Sequence, residues 1–168
     1  NGYWLSEDAV ERAVAAVLCD GCPVIQQCGA AATARRERWG VWAKSIGGLK
    51  ALMARADANA QVIADWVAST PWIDFLAEDP AIRSNTSVCL KIVDPSVRTL
   101  PAEAQAAFVK AIAAALDKEG VAYDIDAYRD APPGLRIWCG STVERADVEA
   151  LTLWLDWAFA KSKEALRK

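Results

Sequence analysis

The chain has 168 residues, 54% of them apolar, with 19 Lys and Arg against 22 Asp and Glu and no histidine. That is one domain of ordinary size, or one plus a short appendage, with enough apolar residues for a core and no excess of positive charge to attract nucleic acid. Lack of histidine excludes Ser-His and Cys-His nucleophile pairs, and charges interrupt every apolar stretch, so no membrane span or signal peptide is expected and the expected compartment is the cytoplasm.

In chain order, "SEDAVERAVAAVLC" predicts a helix capped by Ser6 with Glu7 and Asp8 in its first turn, ending at Cys19. Cys22 precedes Pro23, which suits the first position of a second helix running through "VIQQCGAAATARRER" and carrying Cys28. "WGVWA" follows as a turn with Trp39 and Trp42. Ile46, Leu49, Met53, Ala56, Ala60, Ile63 and Val67 recur at helical spacing and predict a long amphipathic helix ending before Pro71. "TSVCLKIV" reads as a strand, and "PAEAQAAFVKAIAAALDKEG" as a helix with Pro101 at its start and Gly120 past its end. "VAYDIDAY" and "GLRIWCG" read as short strands. Ser141 and Glu144 form a capping box before a last helix bearing Val148, Leu151, Leu155 and Phe159. From residue 44 on, this order predicts an α+β domain with a small, largely antiparallel sheet of three or four strands packed with helices, preceded by a short helical segment with cysteines.

Two patterns carry chemistry. Cys19, Cys22 and Cys28 are spaced C-x2-C-x5-C, where a helix end, a tight gap and a helix start bring thiols together. In a reducing compartment such a group suits an iron-sulfur cluster or zinc, both of which take four ligands. The competing reading is three helix-end packing residues or free thiols. Arg136 alternates with Leu135 and Ile137, so the pattern alone makes it an ordinary strand residue on the open face of the sheet. Cys89 and Cys139 fall in apolar strands and read as buried small hydrophobes. Trp66, Trp72, Trp154 and Trp157 read as packing residues, because no basic groove accompanies them. "ARRER" reads as a solvated helix face.

The stretch "WLSEDAVERAVAAVLCDGCPVIQQCGAAATARRERWGVWA" resembles the WhiB-like iron-sulfur regulators of actinobacteria and their phages. That resemblance implies a cluster on Cys19, Cys22 and Cys28 and a sigma-factor partner at the Trp39–Trp42 turn. The family's fourth cysteine lies upstream of the first helix, and none stands between Asn1 and Trp4; one reading completes the cluster in a dimer or with a non-cysteine ligand such as Asp8 or Asp20. The family's basic DNA-binding tail after the G-V-W turn is also missing.

From "WAKSIGGLKALMARADANAQVIADWVASTPWIDFLAEDPAIRSNTSVCLKIVD" through "EGVAYDIDAYRDAPPGLRIWCGSTVERADVEALTLWLDWAFA", the chain resembles the carboxy-terminal small domain of phosphoserine aminotransferase, over residues 42–165. This implies that Arg136 holds a substrate carboxylate and that Arg129 faces a substrate phosphate, in an enzyme of serine biosynthesis using pyridoxal phosphate. A planar guanidinium suits a carboxylate because two parallel hydrogen bonds fix its orientation. Transaminases hold the cofactor on a lysine of their large domain, and the residues ahead of this domain are too few to contain it. Lys44, Lys50, Lys91 and Lys110 are not in that context. The two resemblances meet at a shared "WA", the mark of a chimera, so the expected domains are 1–43 and 44–168. The expected function is a small domain inactive alone. The alternatives are a complementing subunit of a split aminotransferase and a redox regulator acting through a sigma factor; the expected partners are a second copy or a large transaminase domain.

Overall fold

The computed structural model describes residues 23–34, 48–126, 128 and 131–166. The chain divides into two compact units, Asn1–Arg55 and Ala56–Lys168. The expected helix over residues 6–19 and the "WGVWA" turn lie outside the described residues.

In the first unit, helix α1 spans Ile25–Ala34. Pro23 and Val24 form a turn ahead of it, so the helix begins two residues after the expected start. The Cys28 N–H donates to the Val24 carbonyl at 2.9 Å, which places this cysteine in the first turns with its side chain exposed.

Helix α2, Gly48–Ser69, follows the expected long amphipathic pattern only over its second half. Ala56, Ile63 and Val67 are buried, whereas Leu49 and Met53 are 74% and 55% exposed. The stripe is continuous in sequence, but only its carboxy-terminal turns contribute to the core around the sheet.

In the second unit, strands β1 (Ile73–Phe75), β2 (Ser87–Ile92) and β3 (Gly134–Trp138) form an antiparallel sheet in the order β1-β2-β3. Helices α3 (Pro95–Arg98), α4 (Ala102–Lys118) and α5 (Arg145–Ala165) complete the unit. The register pairs Val88 with Ile137 and Leu90 with Leu135 on one face, and Cys89 with Arg136 and Ser87 with Trp138 on the other. Because side chains alternate along a strand, the first set is buried and the second is open to solvent or half-buried.

The core lies between the buried face and helices α2, α4 and α5. Ile63, Ile112, Leu116 and Leu155 are at most 1% exposed, and each side chain of this kind contributes about 2 kcal/mol on burial. Val148, Leu155 and Phe159 are buried on α5, as the helical spacing predicts, and Leu151 packs against the cluster half-buried. Trp72 stacks on Phe159 with centroids 4.2 Å apart. The Nε1 groups of Trp66 and Trp72 both donate to Asp156, at 3.2 and 2.8 Å, so two indoles enter the core without an orphaned N–H.

Three polar devices hold the connections. Buried Asn59 donates to the carbonyls of Cys139, Gly140 and Val143 at 3.1, 3.3 and 2.9 Å, tying the loop after β3 to α2. Asp94 caps α3 through the Ser96 N–H at 3.0 Å and receives Lys163 of α5 at 2.6 Å. Gly120, at φ +70°, ends α4: its N–H reaches the Asp117 carbonyl at 2.9 Å and Val121 reaches Leu116 at 3.0 Å. This is the left-handed cap that the glycine past the helix predicts.

Two local expectations fail. Among its described residues, "VAYDIDAY" forms one bridge, Asp126 to Leu135, instead of a strand. Asp124 has φ +52°, a left-handed turn that breaks extended pairing. The last helix starts at Arg145 with Glu144 as its cap, without a side-chain cap bond, so the Ser141 capping box does not form its start.

Candidate functional site

The β2–β3 ladder positions the site. Gly134 opens β3 where a Cβ would overlap the Leu90 carbonyl oxygen, so only glycine allows the two strands to meet there. Two residues on, Arg136 faces Cys89 on the open side. Its own N–H donates to the Ile125 carbonyl at 2.8 Å, which draws the 124–126 segment along the free edge of β3.

The Arg136 side chain is only 18% exposed. Nη2 donates to Asp124 Oδ2 at 2.8 Å and to the Asp124 carbonyl at 3.2 Å. The guanidinium carbon lies 4.5 Å from the centre of the Tyr128 ring, a cation-π contact. Nε is buried and, among the described residues, has no hydrogen-bond partner. A buried guanidinium N–H without an acceptor is costly, so this atom stands out among the polar groups of the sheet. Beside it, Cys89, Tyr128, Pro132, Gly134 and Arg136 help line a cavity of about 20 Å³, the size of one water.

Among the other residues singled out by sequence, Arg129, Cys19, Cys22, Lys44 and the Trp39–Trp42 turn lie outside the described residues. Cys28 is free and exposed on α1. Among the described residues, no group of three or more His, Cys, Asp and Glu side chains converges in a way that could hold a metal ion. Cys139 is fully buried as expected, and burial pushes its thiol up to about 11. Cys89 is half-buried and borders the Arg136 cavity, instead of lying in the core. Trp66 and Trp72 are core residues, Trp157 is half-buried against the core and Trp154 is 37% exposed.

Pyridoxal phosphate supplies an electron sink for amino-group transfer when a lysine holds it as a Schiff base. The described lysines do not fit that task. Lys91, on the open face, is ion-paired with Glu78 at 3.3 Å, and Lys50 is exposed on α2. Lys110 borders an open depression together with Asp117, Asp124 and Asp126, where the chemistry is acidic and unsuited to a phosphate.

Sequence reasoning missed Asp124. Its alternation with Ile125 and Asp126 looks like a strand, and the only hint of its role is an acidic residue twelve positions before the arginine.

Both stretches are similar to known proteins. The family model for transcription factor WhiB matches residues 3–51. The transcriptional regulator WhiB7 of Mycolicibacterium smegmatis is 40% identical over 52 residues, 31% of this chain and 50% of that protein. Phosphoserine aminotransferase of Methanosarcina barkeri is 51% identical over 118 residues, 70% of this chain and 29% of that protein. Residues 3–51 are thus similar to WhiB regulators, and a stretch of 118 residues is similar to phosphoserine aminotransferases. Its likeness to the Methanosarcina mazei phosphoserine aminotransferase is of the same extent, 50% over 118 residues. The chain thus spans less than a third of the length of the aminotransferases it matches. The solved phosphoserine aminotransferase from Bacillus circulans subsp. alkalophilus shares the fold, with a TM-score of 0.56 over 71% of this chain and 30% of that one at 19% identity. Among the described residues, no helix is long and apolar enough to cross a membrane.

Proposed function

We propose that residues 44–168 form the substrate-side half of a phosphoserine aminotransferase site, in which Arg136 binds the substrate carboxylate and Arg129 faces the phosphate. The observation that carries this is the guanidinium of Arg136: fixed by its strand, largely buried, and left with an unpartnered Nε. A fixed guanidinium with a free donor orients a carboxylate and loses little side-chain entropy in doing so. The identity with the Methanosarcina aminotransferases over 70% of the chain supports the same reading. Exposed Leu49 and Met53 on α2 fit a helix face that a large transaminase domain would cover.

On this reading the 168 residues bind but do not transfer an amino group. The cofactor lysine would come from a large domain, on a separate chain or in a longer protein. The test is a titration of the chain with L-phosphoserine, followed by the Nε–H signal of Arg136 in a nitrogen-proton NMR spectrum. Saturable shifts that disappear in Arg136→Gln are expected; equal binding by that variant would overturn the assignment.

A second reading applies to residues 1–43, where a WhiB-like segment would hold an iron-sulfur cluster through Cys19, Cys22 and Cys28 and meet a sigma factor at the Trp39–Trp42 turn. The exposed, unbonded thiol of Cys28 favours it, since soft thiolates are the ligands such clusters take. Anaerobic reconstitution with iron and sulfide should produce a visible absorption band that Cys22→Ser abolishes. A colourless wild-type protein would overturn this reading.

A further inference from the structure

A carboxylate can meet a guanidinium in two forked arrangements, one through Nη1 and Nη2 and one through Nε and Nη2. Both require Nη2. In this protein Arg136 Nη2 already donates twice to a single residue, Asp124, to its carboxylate at 2.8 Å and to its carbonyl at 3.2 Å. The double engagement depends on the left-handed turn at Asp124, where φ is +52° and the carboxylate and carbonyl converge on one nitrogen. Aspartate tolerates that conformation better than most residues with a side chain.

We propose that Asp124 is an internal competitor for Arg136: a specificity-determining residue that occupies the position of a substrate carboxylate and must leave Nη2 before a substrate can make either fork. This rests on the reading of Arg136 as a carboxylate-binding residue. Asp124 is suited to leaving. Its side chain is 83% exposed against 18% for Arg136, so its carboxylate is rehydrated on release while the guanidinium remains in place. Exposed ion pairs are weak, so displacement costs little, yet a ligand that offers only one acceptor gains no fork in exchange. The gate thus favours ligands with a full carboxylate over those with a single polar oxygen. Nε, buried and unpartnered, is the donor that the incoming carboxylate would satisfy as it takes over Nη2.

The test compares the wild-type chain, Asp124→Asn, Asp124→Gly and Arg136→Gln by NMR titration. The probes are L-phosphoserine and phosphoethanolamine, which has the phosphate and amine but no carboxylate. Asparagine and glycine both accept a positive φ, so the turn is kept, and circular dichroism of each variant checks folding. The proposal expects phosphoserine binding to tighten about fivefold in Asp124→Gly and less in Asp124→Asn, the scale of one exposed ion pair. Phosphoethanolamine binding should not change. A similar gain for both probes would overturn the proposal, because it would reflect only the loss of a negative charge. Unchanged or weaker phosphoserine binding that still depends on Arg136 would overturn the gate and leave the carboxylate reading standing. Binding indifferent to Arg136→Gln would overturn both.

Discussion

The two regions of the chain carry their chemistry in opposite ways. The cysteines of the first unit are a local motif: three residues within ten positions, legible from their spacing alone. The arginine of the second unit is a tertiary construction. Its neighbours Cys89, Asp124 and Tyr128 come from β2 and from the segment before β3, and they converge only once the strands pair in register. A local motif is tolerant of what surrounds it and is recognised from spacing. A tertiary site is only as good as the fold that holds it, so its weakest points lie in the sheet and the loops.

That difference predicts which substitutions affect each site. The largest effect should come from Gly134→Ala, because the new Cβ would overlap the Leu90 carbonyl and separate β2 from β3. We expect a loss of about 3 kcal/mol or more in urea unfolding, and loss of any Arg136-dependent binding with it. The cysteine site should be indifferent to this change, and an equal loss of cluster loading would contradict the contrast between the regions.

Next in size is Asn59→Ala, which leaves three carbonyls of the 139–143 loop without their donor. A loss of about 2 kcal/mol is expected from the buried hydrogen bonds. A change below a few tenths would show that water replaces the amide.

A smaller, pH-dependent effect comes from Asp94. Burial raises its pKa, but the hydrogen bonds from Lys163 and Ser96 and the charge of Lys163 outweigh this and hold the carboxyl below its usual 3.8. A depressed carboxylate stabilises the fold in its ionised form. Its contribution is therefore complete above about pH 4 and lost as the pH falls further. Asp94→Asn should lower stability at neutral pH and flatten the acid limb of the stability curve; an unchanged limb would show that other carboxylates set it.

The smallest effect is chemical. With its thiol pushed up to about 11 by burial, Cys139 stays protonated and inert, whereas Cys28 is exposed. Iodoacetamide at pH 8 should alkylate Cys28 in the native protein and reach Cys139 only after unfolding. Early labelling of Cys139 would indicate that the loop after β3 opens readily.

How much of this was legible follows from the same contrast. Val148, Leu155 and Phe159 on α5 and the Gly120 cap were readable because their causes lie within a turn or two of sequence. Leu49 and Met53 continue the stripe of Ala56, Ile63 and Val67, and no periodicity distinguishes covered from exposed turns. Strand β1 is three residues long, too short for alternation to register. Asp124 sits in a stretch that alternates like a strand, and its left-handed turn has no glycine to announce it. Arg136 itself was found through resemblance to a family, and its buried, partly unpartnered guanidinium became visible only with the fold.

The central claim is that these residues bind a phosphoserine-like carboxylate through Arg136 without carrying out transamination. It is tested most directly by giving the wild-type chain and Arg136→Gln L-phosphoserine, pyridoxal phosphate and 2-oxoglutarate, and following binding and glutamate formation in the same sample. The account predicts binding that Arg136→Gln abolishes, with no glutamate formed by either protein. Glutamate formed by the wild-type chain alone, or binding that survives the loss of Arg136, would contradict it.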